Sequence, residues 1–155
     1  MQKKSPAKIN VREMSVYDIR TVFDIGEQAF TSEYSNIYRT WDEYEVTTAF
    51  TSEGEFSLIA ACDNKTVGFA LGTLIEKGTA WTYGHLVWLG IDPKYHRKGI
   101  GGKLIKAMKR KFKKSGARIM LVDTQSENTK ALDFFHKHGF NEDAKHLFLS
   151  CHLSK

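Results

Sequence analysis

Leu86-Val87-Trp88-Leu89-Gly90-Ile91-Asp92-Pro93-Lys94-Tyr95-His96-Arg97-Lys98-Gly99-Ile100-Gly101-Gly102-Lys103-Leu104 reads as an apolar strand, a proline stop, a short basic glycine turn and the start of a helix. Pro93 cannot donate to a sheet ladder, so the strand is predicted to end near Asp92. Gly99, Gly101 and Gly102 let the main chain approach a ligand with no Cβ in the way. Leu104, Ile105, Met108 and Phe112 then follow at helical spacing. A glycine turn feeding a helix gathers free N–H groups and the positive end of the helix dipole at one point. That arrangement binds anions, most naturally phosphate.

Two common phosphate loops fail on spacing. A P-loop requires Gly, four residues, then Gly-Lys-Ser/Thr; here Arg97 stands five before Gly102, and Leu104 follows Lys103. A dinucleotide fingerprint requires a glycine three after Gly101, where Leu104 stands. Asp123, at the distance of a ribose-binding acid, therefore carries little weight in that role.

The segment His96-Arg97-Lys98-Gly99-Ile100-Gly101 instead resembles the Gln/Arg-x-x-Gly-x-Gly/Ala pyrophosphate loop of the GNAT superfamily of acetyl-CoA-dependent N-acetyltransferases. A second block follows in order, Asn128-x-x-Ala131-x-x-Phe134-Phe135-x-x-x-Gly139-Phe140. The resemblance implies an α+β fold: a central mixed, mostly antiparallel sheet of six or seven strands with about four helices. It also implies that the N–H groups from Arg97 through Lys98, Gly99, Ile100 and Gly101 to Gly102 cradle the pyrophosphate of coenzyme A, with Lys103 beside them. Main chain of Leu89 and Ile91, either side of Gly90, would hold the pantetheine and acetyl end, and Asn128 and Phe135 would reach the cofactor.

Two positions depart from the family pattern. His96 stands where Gln or Arg is usual and is expected to re-route one contact. Phe135 stands where the family commonly has a tyrosine that protonates the departing thiolate. A thiol of pKa about 8.5 leaves tolerably near neutrality, so losing that acid is expected to slow the reaction without abolishing it. Tyr83, Tyr95 or a water could substitute.

The chain of 155 residues, 41% hydrophobic, is expected to be one domain, with residues 1–8 loose at its start. Nine of its 23 basic residues fall between Arg97 and Lys114, where there is no acid; the other 14 stand against 18 acids. The molecule is thus a mildly acidic domain with one cationic helix, which argues against nucleic acid as the partner. Lys106, Lys109, Arg110 and Lys113 fall opposite the apolar stripe and read as a solvated face. No stretch reaches the length of a membrane span, and no signal-peptide core is present, so the cytoplasm is the expected location. Cys62 and Cys151 are expected to be buried thiols, and neither shows metal spacing.

Read in order, Ile9 to Met14 is a first strand and Ser15-Val16-Tyr17-Asp18 a capping box, with Val16, Ile19, Val22, Phe23 and Ile25 inward on the helix to Ala29. Thr40 to Glu43 offers a second box, opening a helix to Phe50. Strands are predicted over 55–62, 66–76, 80–91, 118–123 and 146–153, and a helix from Asn128 or Thr129 to Gly139. Gly90, inside a bulky run, reads as either a bulge or a close approach. The order β-α-α-β-β-β-α-β-α-β is the one the resemblance implies.

An acceptor amine must be neutral to attack a thioester. At pH 7 a lysine-like amine (pKa ~10.4) is neutral in about one part in 2,500, an α-amine (~7.8) in about one in seven. Candidate bases are Glu43, Glu45, His85 and Asp123. Tyr34, Tyr38, Trp41 and Tyr44, among several carboxylates, suit a cationic amine; the alternative is that these aromatics pack on the core. The expected activity is acetyl transfer from acetyl-CoA to a primary amine, a protein N-terminus or a small cationic amine, by direct attack in a ternary complex, by a monomer or homodimer. A non-catalytic acyl-CoA-binding module and a nucleic-acid binder using the basic helix at 101–114 are the competing classes.

Overall fold

The computed structural model describes residues 7–30, 40–77 and 81–154. Its elements are β1 (Ile9–Glu13), α1 (Ile19–Ala29), α2 (Glu43–Ser52), β2 (Ser57–Cys62), β3 (Lys65–Lys77), β4 (Trp81–Ile91), α3 (Ile100–Lys114), β5 (Ile119–Val122) and α4 (Thr129–Lys137). The strands lie in the sheet in chain order. Every neighbouring pair is antiparallel except β4 and β5, which run parallel. This is the mixed, mostly antiparallel α+β architecture expected from the sequence.

Local chemistry explains most boundaries. Asp63 and Asn64 both take positive φ (49° and 66°), the two-residue turn that best matches strand twist, and they join Cys62 to Lys65. Gly116 (φ 87°) ends α3, with Ala117 N donating to Phe112 O at 2.9 Å, so the last carbonyls are satisfied. Before α1, Asp18 is a buried node: it accepts from both Arg12 guanidinium nitrogens (2.7 and 3.0 Å), from Ser15 N and Oγ, and from Thr66 Oγ at 2.9 Å. Burial works against its ionisation, but Arg12, Ser15 and Thr66 together outweigh that and hold the carboxyl well below the usual range.

The sheet is covered on both faces. On one, α3 lays down Ile100, Leu104, Ile105, Met108 and Phe112 against Leu58, Ala60, Ala70 and Leu86. On the other, α1 and α2 bring Val22, Ile25 and Val46 against Ile59, Phe69, Leu71 and Trp88. The lysines of α3 take the outer side, as the solvated-face reading requires.

Several sequence expectations change. The cap of α2 is Asp42, whose side chain accepts from Glu45 N at 3.0 Å, and Thr40 lies outside the helix. Val16 is exposed, because its turn is a short 3-10 segment ahead of α1. Gly90 is a close approach and not a bulge: a Cβ there would stand 2.6 Å from the Phe69 ring. The bulge lies at Val87, since Leu71 faces Trp88 while Gly72 faces Leu86. The described residues hold five strands where six or seven were expected, and 146–153 has no regular structure. Period-two patterning makes a strand only when an edge receives it, and here Leu147, Leu149 and Leu153 stand in solvent. Cys151 is consequently exposed, whereas Cys62 is buried.

Candidate active site

The register of β3 and β4 decides which backbone groups are available. Asp92 N donates to Val67 O at 2.8 Å, which makes Asp92/Val67, Gly90/Phe69 and Trp88/Leu71 the hydrogen-bonded pairs. Leu89 and Ile91, between them, turn their N–H and C=O groups the other way, toward β5. Pairing of β4 with β5 stops at Leu86 and Val122. Beyond that fork the free edge of β4 borders a cavity of about 740 Å³.

The glycine turn closes the cavity's far end. Arg97 (φ 62°) and Gly99 (φ 71°) both take left-handed conformations, and α3 starts at Ile100 with no side-chain cap. The first helical bond beyond the turn is Lys103 N to Gly99 O at 3.2 Å. The N–H groups of Ile100, Gly101 and Gly102 therefore lack intrahelical acceptors and point out of the helix end. Bare glycines are required beside them: a Cβ on Gly101 would sit 2.9 Å from the Phe134 ring, and one on Gly102 2.7 Å from the ring of His138. Main chain, not side chain, forms this anion cradle.

Of the residues singled out from sequence, Leu89, Gly90, Ile91, Tyr95, His96, Arg97, Gly99, Ile100, Gly101 and Gly102 line this cavity. His96 Nε2 lies 3.3 Å from Ile91 O, tying the turn to the end of the strand. Lys98, Lys103, Asn128 and Phe135 are not among the lining residues. Lys98 lies over the Tyr95 ring, 4.9 Å from its centroid, and Lys103 is exposed one turn into α3. The Asn128 amide oxygen caps α4 by accepting from Ala131 N at 3.2 Å. Phe135 packs against Phe140, ring centroids 5.4 Å apart, and its neighbour Phe134 faces the cavity instead.

The lining also holds Ala29, Phe30, Lys130, Phe134, Lys137 and His138, to which sequence reading gave no place in the cofactor site. The last four recur at i, i+4, i+7 and i+8 on α4, a helical period that the motif match did not use. Burial, and then the charges of Lys137 and Lys109, push His138 below the ordinary imidazole value.

The opposite face of β4 carries the remaining polar groups. His85 Nε2 lies 3.0 Å from Asp123 Oδ1, at the fork itself. Trp88 Nε1 donates to Glu45 Oε2 at 2.6 Å. The bulge at Val87 shifts side-chain parity, so Tyr83 and His85 share a face with Trp88 and Gly90. Phe30, Trp41, Phe69 and Trp88 form one aromatic cluster there, with centroids 4.7 to 6.1 Å apart where they touch. Trp41 thus belongs to the core, its Nε1 donating to Phe23 O. Tyr44 and Glu43 point to solvent from α2, and Tyr34 and Tyr38 lie outside the described residues. Among the described residues, no group of three or more His, Cys, Asp or Glu is placed to hold a metal, and no helix is long and apolar enough to cross a membrane.

A parted sheet thus lies beside a helix end whose free N–H groups and bare glycines face one cavity. The chain belongs to the Acetyltransferase (GNAT) family, whose sequence profile matches residues 20–140. Among curated proteins it is similar to the spermidine N(1)-acetyltransferase of Thermoplasma acidophilum, 23% identical over 146 residues covering 85% of this chain and 88% of the relative. It is also similar to N-alpha-acetyltransferase 30 of Schizosaccharomyces pombe, 29% identical over 87 residues, 56% of this chain and 57% of that one. Among solved structures it superposes on the aminoglycoside N-acetyltransferase AAC(6')-Iy in complex with CoA, with a TM-score of 0.77 at 19% identity, over 95% of this chain and 97% of that one.

Proposed function

We propose that the protein transfers acetyl from acetyl-CoA to a primary amine, by direct attack while both substrates are bound. The observation that carries this is the continuity of the cavity: the main-chain cradle at Ile100 to Gly102 and the free edge at Leu89 and Ile91 open into one space. That space suits a diphosphate at one end and an amide-bearing arm along the strand. Membership in the family and the likeness to acetyltransferases with spermidine, N-terminal and aminoglycoside acceptors support an amine as the second substrate.

Acetyl-CoA supplies the activated acetyl group; the chain's own residues do the rest. With the Nε2 proton of His85 held by Asp123, its Nδ1 lone pair is the base that takes the proton from the incoming ammonium. The amine nitrogen bonds to the acetyl carbon as the carbon–sulfur bond breaks, and the second proton that the nitrogen sheds ends on the departing thiolate, which leaves as coenzyme A thiol. The main-chain N–H groups of the β4 edge polarise the acetyl oxygen, in the manner of an oxyanion hole. Tyr95, in the cavity wall, stands nearer to the thiolate's path than Tyr83, which is on the other face of β4. Glu45 and Asp123 give the acceptor side the negative charge that a cationic amine favours. The acceptor is a protein N-terminus or a small cationic amine.

A thiol-release screen decides it, run with acetyl-CoA against peptides with free N-termini, spermidine, an aminoglycoside and lysine peptides. Saturable release with one acceptor class is the expected result. Silence on all four, with coenzyme A still bound, would favour a binding module without turnover.

A further inference from the structure

Two rings four residues apart on α4, Phe134 and His138, pack against Gly101 and Gly102 at the start of α3, and both line the cavity. Phe134 brings only apolar surface; His138 brings two ring nitrogens. Measured from the point where a Cβ of Gly102 would stand, the His138 ring has Cε1 at 2.7 Å, Nε2 at 3.4 Å and Nδ1 at 3.6 Å. Both nitrogens therefore lie beside the main chain whose free N–H groups open α3.

The ring is fixed in place with its polar atoms unspent. It leans on Phe134, centroids 4.5 Å apart and planes 53° from parallel. Its main chain is held on both sides: His138 N donates to Phe134 O and Phe135 O at 3.2 and 3.0 Å, and Lys109 donates from α3 to His138 O. Among the described residues, neither ring nitrogen has a hydrogen-bond partner. A half-buried imidazole that spends neither nitrogen on the protein can give one to a ligand.

The fixed charges that bear on this ring are positive. Lys109 acts on it from α3 and Lys137 from α4, while Lys130, Arg97, His96 and Tyr95 are the other titratable groups of the cavity wall. No Asp or Glu is among the lining residues. Burial first, and then the two ammonium groups, oppose a proton on the ring. A diphosphate is a dianion, and its arrival at the helix end reverses the sign of the local field.

We propose that His138 completes the diphosphate site: its imidazole takes a proton from solvent as coenzyme A binds, and the protonated ring donates an N–H to a diphosphate oxygen. On the acetyl-CoA reading, on which this rests, the cradle then has a permanent main-chain half and a side-chain half that charges only when the anion is there. Binding is proton-linked as a result. The ring's pKa in the complex stands above that in the free protein, so the added affinity is whole at acid pH and is lost as pH rises through the complex's value. A charge-assisted bond of this kind is worth roughly tenfold or more in affinity.

Imidazole resonances followed against pH, with and without coenzyme A, read the ring directly. The His138 midpoint is expected to rise by about one pH unit or more on binding, the tenfold gain seen as a shift. Calorimetry in two buffers of different ionisation heat then counts the protons taken up by wild type, His96→Gln and His138→Gln. The first two should take up a proton at about pH 6.5, near the ordinary imidazole value, and His138→Gln should not. Its affinity should be about tenfold below wild type at acid pH and equal to it at alkaline pH. Dephospho-coenzyme A is run alongside, because the 3'-phosphate of coenzyme A itself titrates near about pH 6. An unmoved His138 midpoint while the amides of Ile100 to Gly102 shift, or uptake that persists in His138→Gln, would overturn the proposal and leave the acetyl-CoA reading standing. No coenzyme A binding at all would overturn both.

Discussion

The glycine turn and the face around His85 lie on opposite sides of one strand and are made in opposite ways. The turn is main chain: seven consecutive residues, two left-handed conformations and three N–H groups at a helix end. The His85 face is side chain, with Asp123 coming 38 residues later and Glu45 reaching Trp88 across 43. A main-chain site tolerates changes of side chain but not the arrival of a Cβ. A side-chain site fails when one functional group is removed, even if packing is untouched. Substitutions therefore separate the two, and each region has a signature loss.

The largest effect is expected on the side-chain face. His85→Gln should lower turnover by about 100-fold or more, the usual contribution of a positioned base, with acetyl-CoA affinity unchanged. Isothermal titration beside steady-state kinetics checks it; equal turnover would move the base elsewhere. Next comes Gly101→Val, which drives a branched side chain into the Phe134 ring. It should weaken coenzyme A binding about 50-fold by the usual cost of overpacking, about 2–3 kcal/mol. Arg97→Ala, changing only a side chain in the same turn, should cost far less.

Asp18 offers a control that belongs to neither region. Asp18→Asn should destabilise folding by about 2 kcal/mol through the lost ion pair and capping bonds, leaving kcat and KM alone. Because the folded-state carboxyl is depressed, its stabilisation is fully present above the unfolded pKa of about 3.9 and fades as pH falls further. Wild type and variant should thus converge below about pH 4 in denaturant titrations and stay apart above it. The smallest effect is expected for Phe135→Tyr. Its ring packs on Phe140 and does not line the cavity, so affinity and turnover should both stay within about twofold, in the range of a mild substitution. A large rise in turnover would show that the new hydroxyl reaches the thiolate after all.

The same contrast explains what could be read from the sequence. The turn, the α3 stripe and the Asp63-Asn64 hairpin are written in neighbouring residues, so local rules find them. The His85 face is hidden by the Val87 bulge. Strict alternation along β4 puts His85 and Trp88 on opposite faces, and only the extra residue brings them to the same one. Trp41 and Tyr44, three residues apart, part company because one packs on Phe69 while the other stands on the outer side of α2. On α4, adjacent phenylalanines divide the work: Phe134 meets the cavity and Phe135 the core, which the motif alone does not distinguish. The last strand was legible as a pattern, yet 146–153 takes no regular structure, because period-two spacing alone supplies no ladder partner.

The central claim is that main chain at the start of α3 holds the diphosphate of coenzyme A. Amide chemical shifts during titration with coenzyme A test it most directly. Saturable shifts of Ile100, Gly101 and Gly102, concerted with those of Leu89 and Ile91 and lost in Gly101→Val, are the predicted result. Binding that leaves those five amides unmoved would contradict the account.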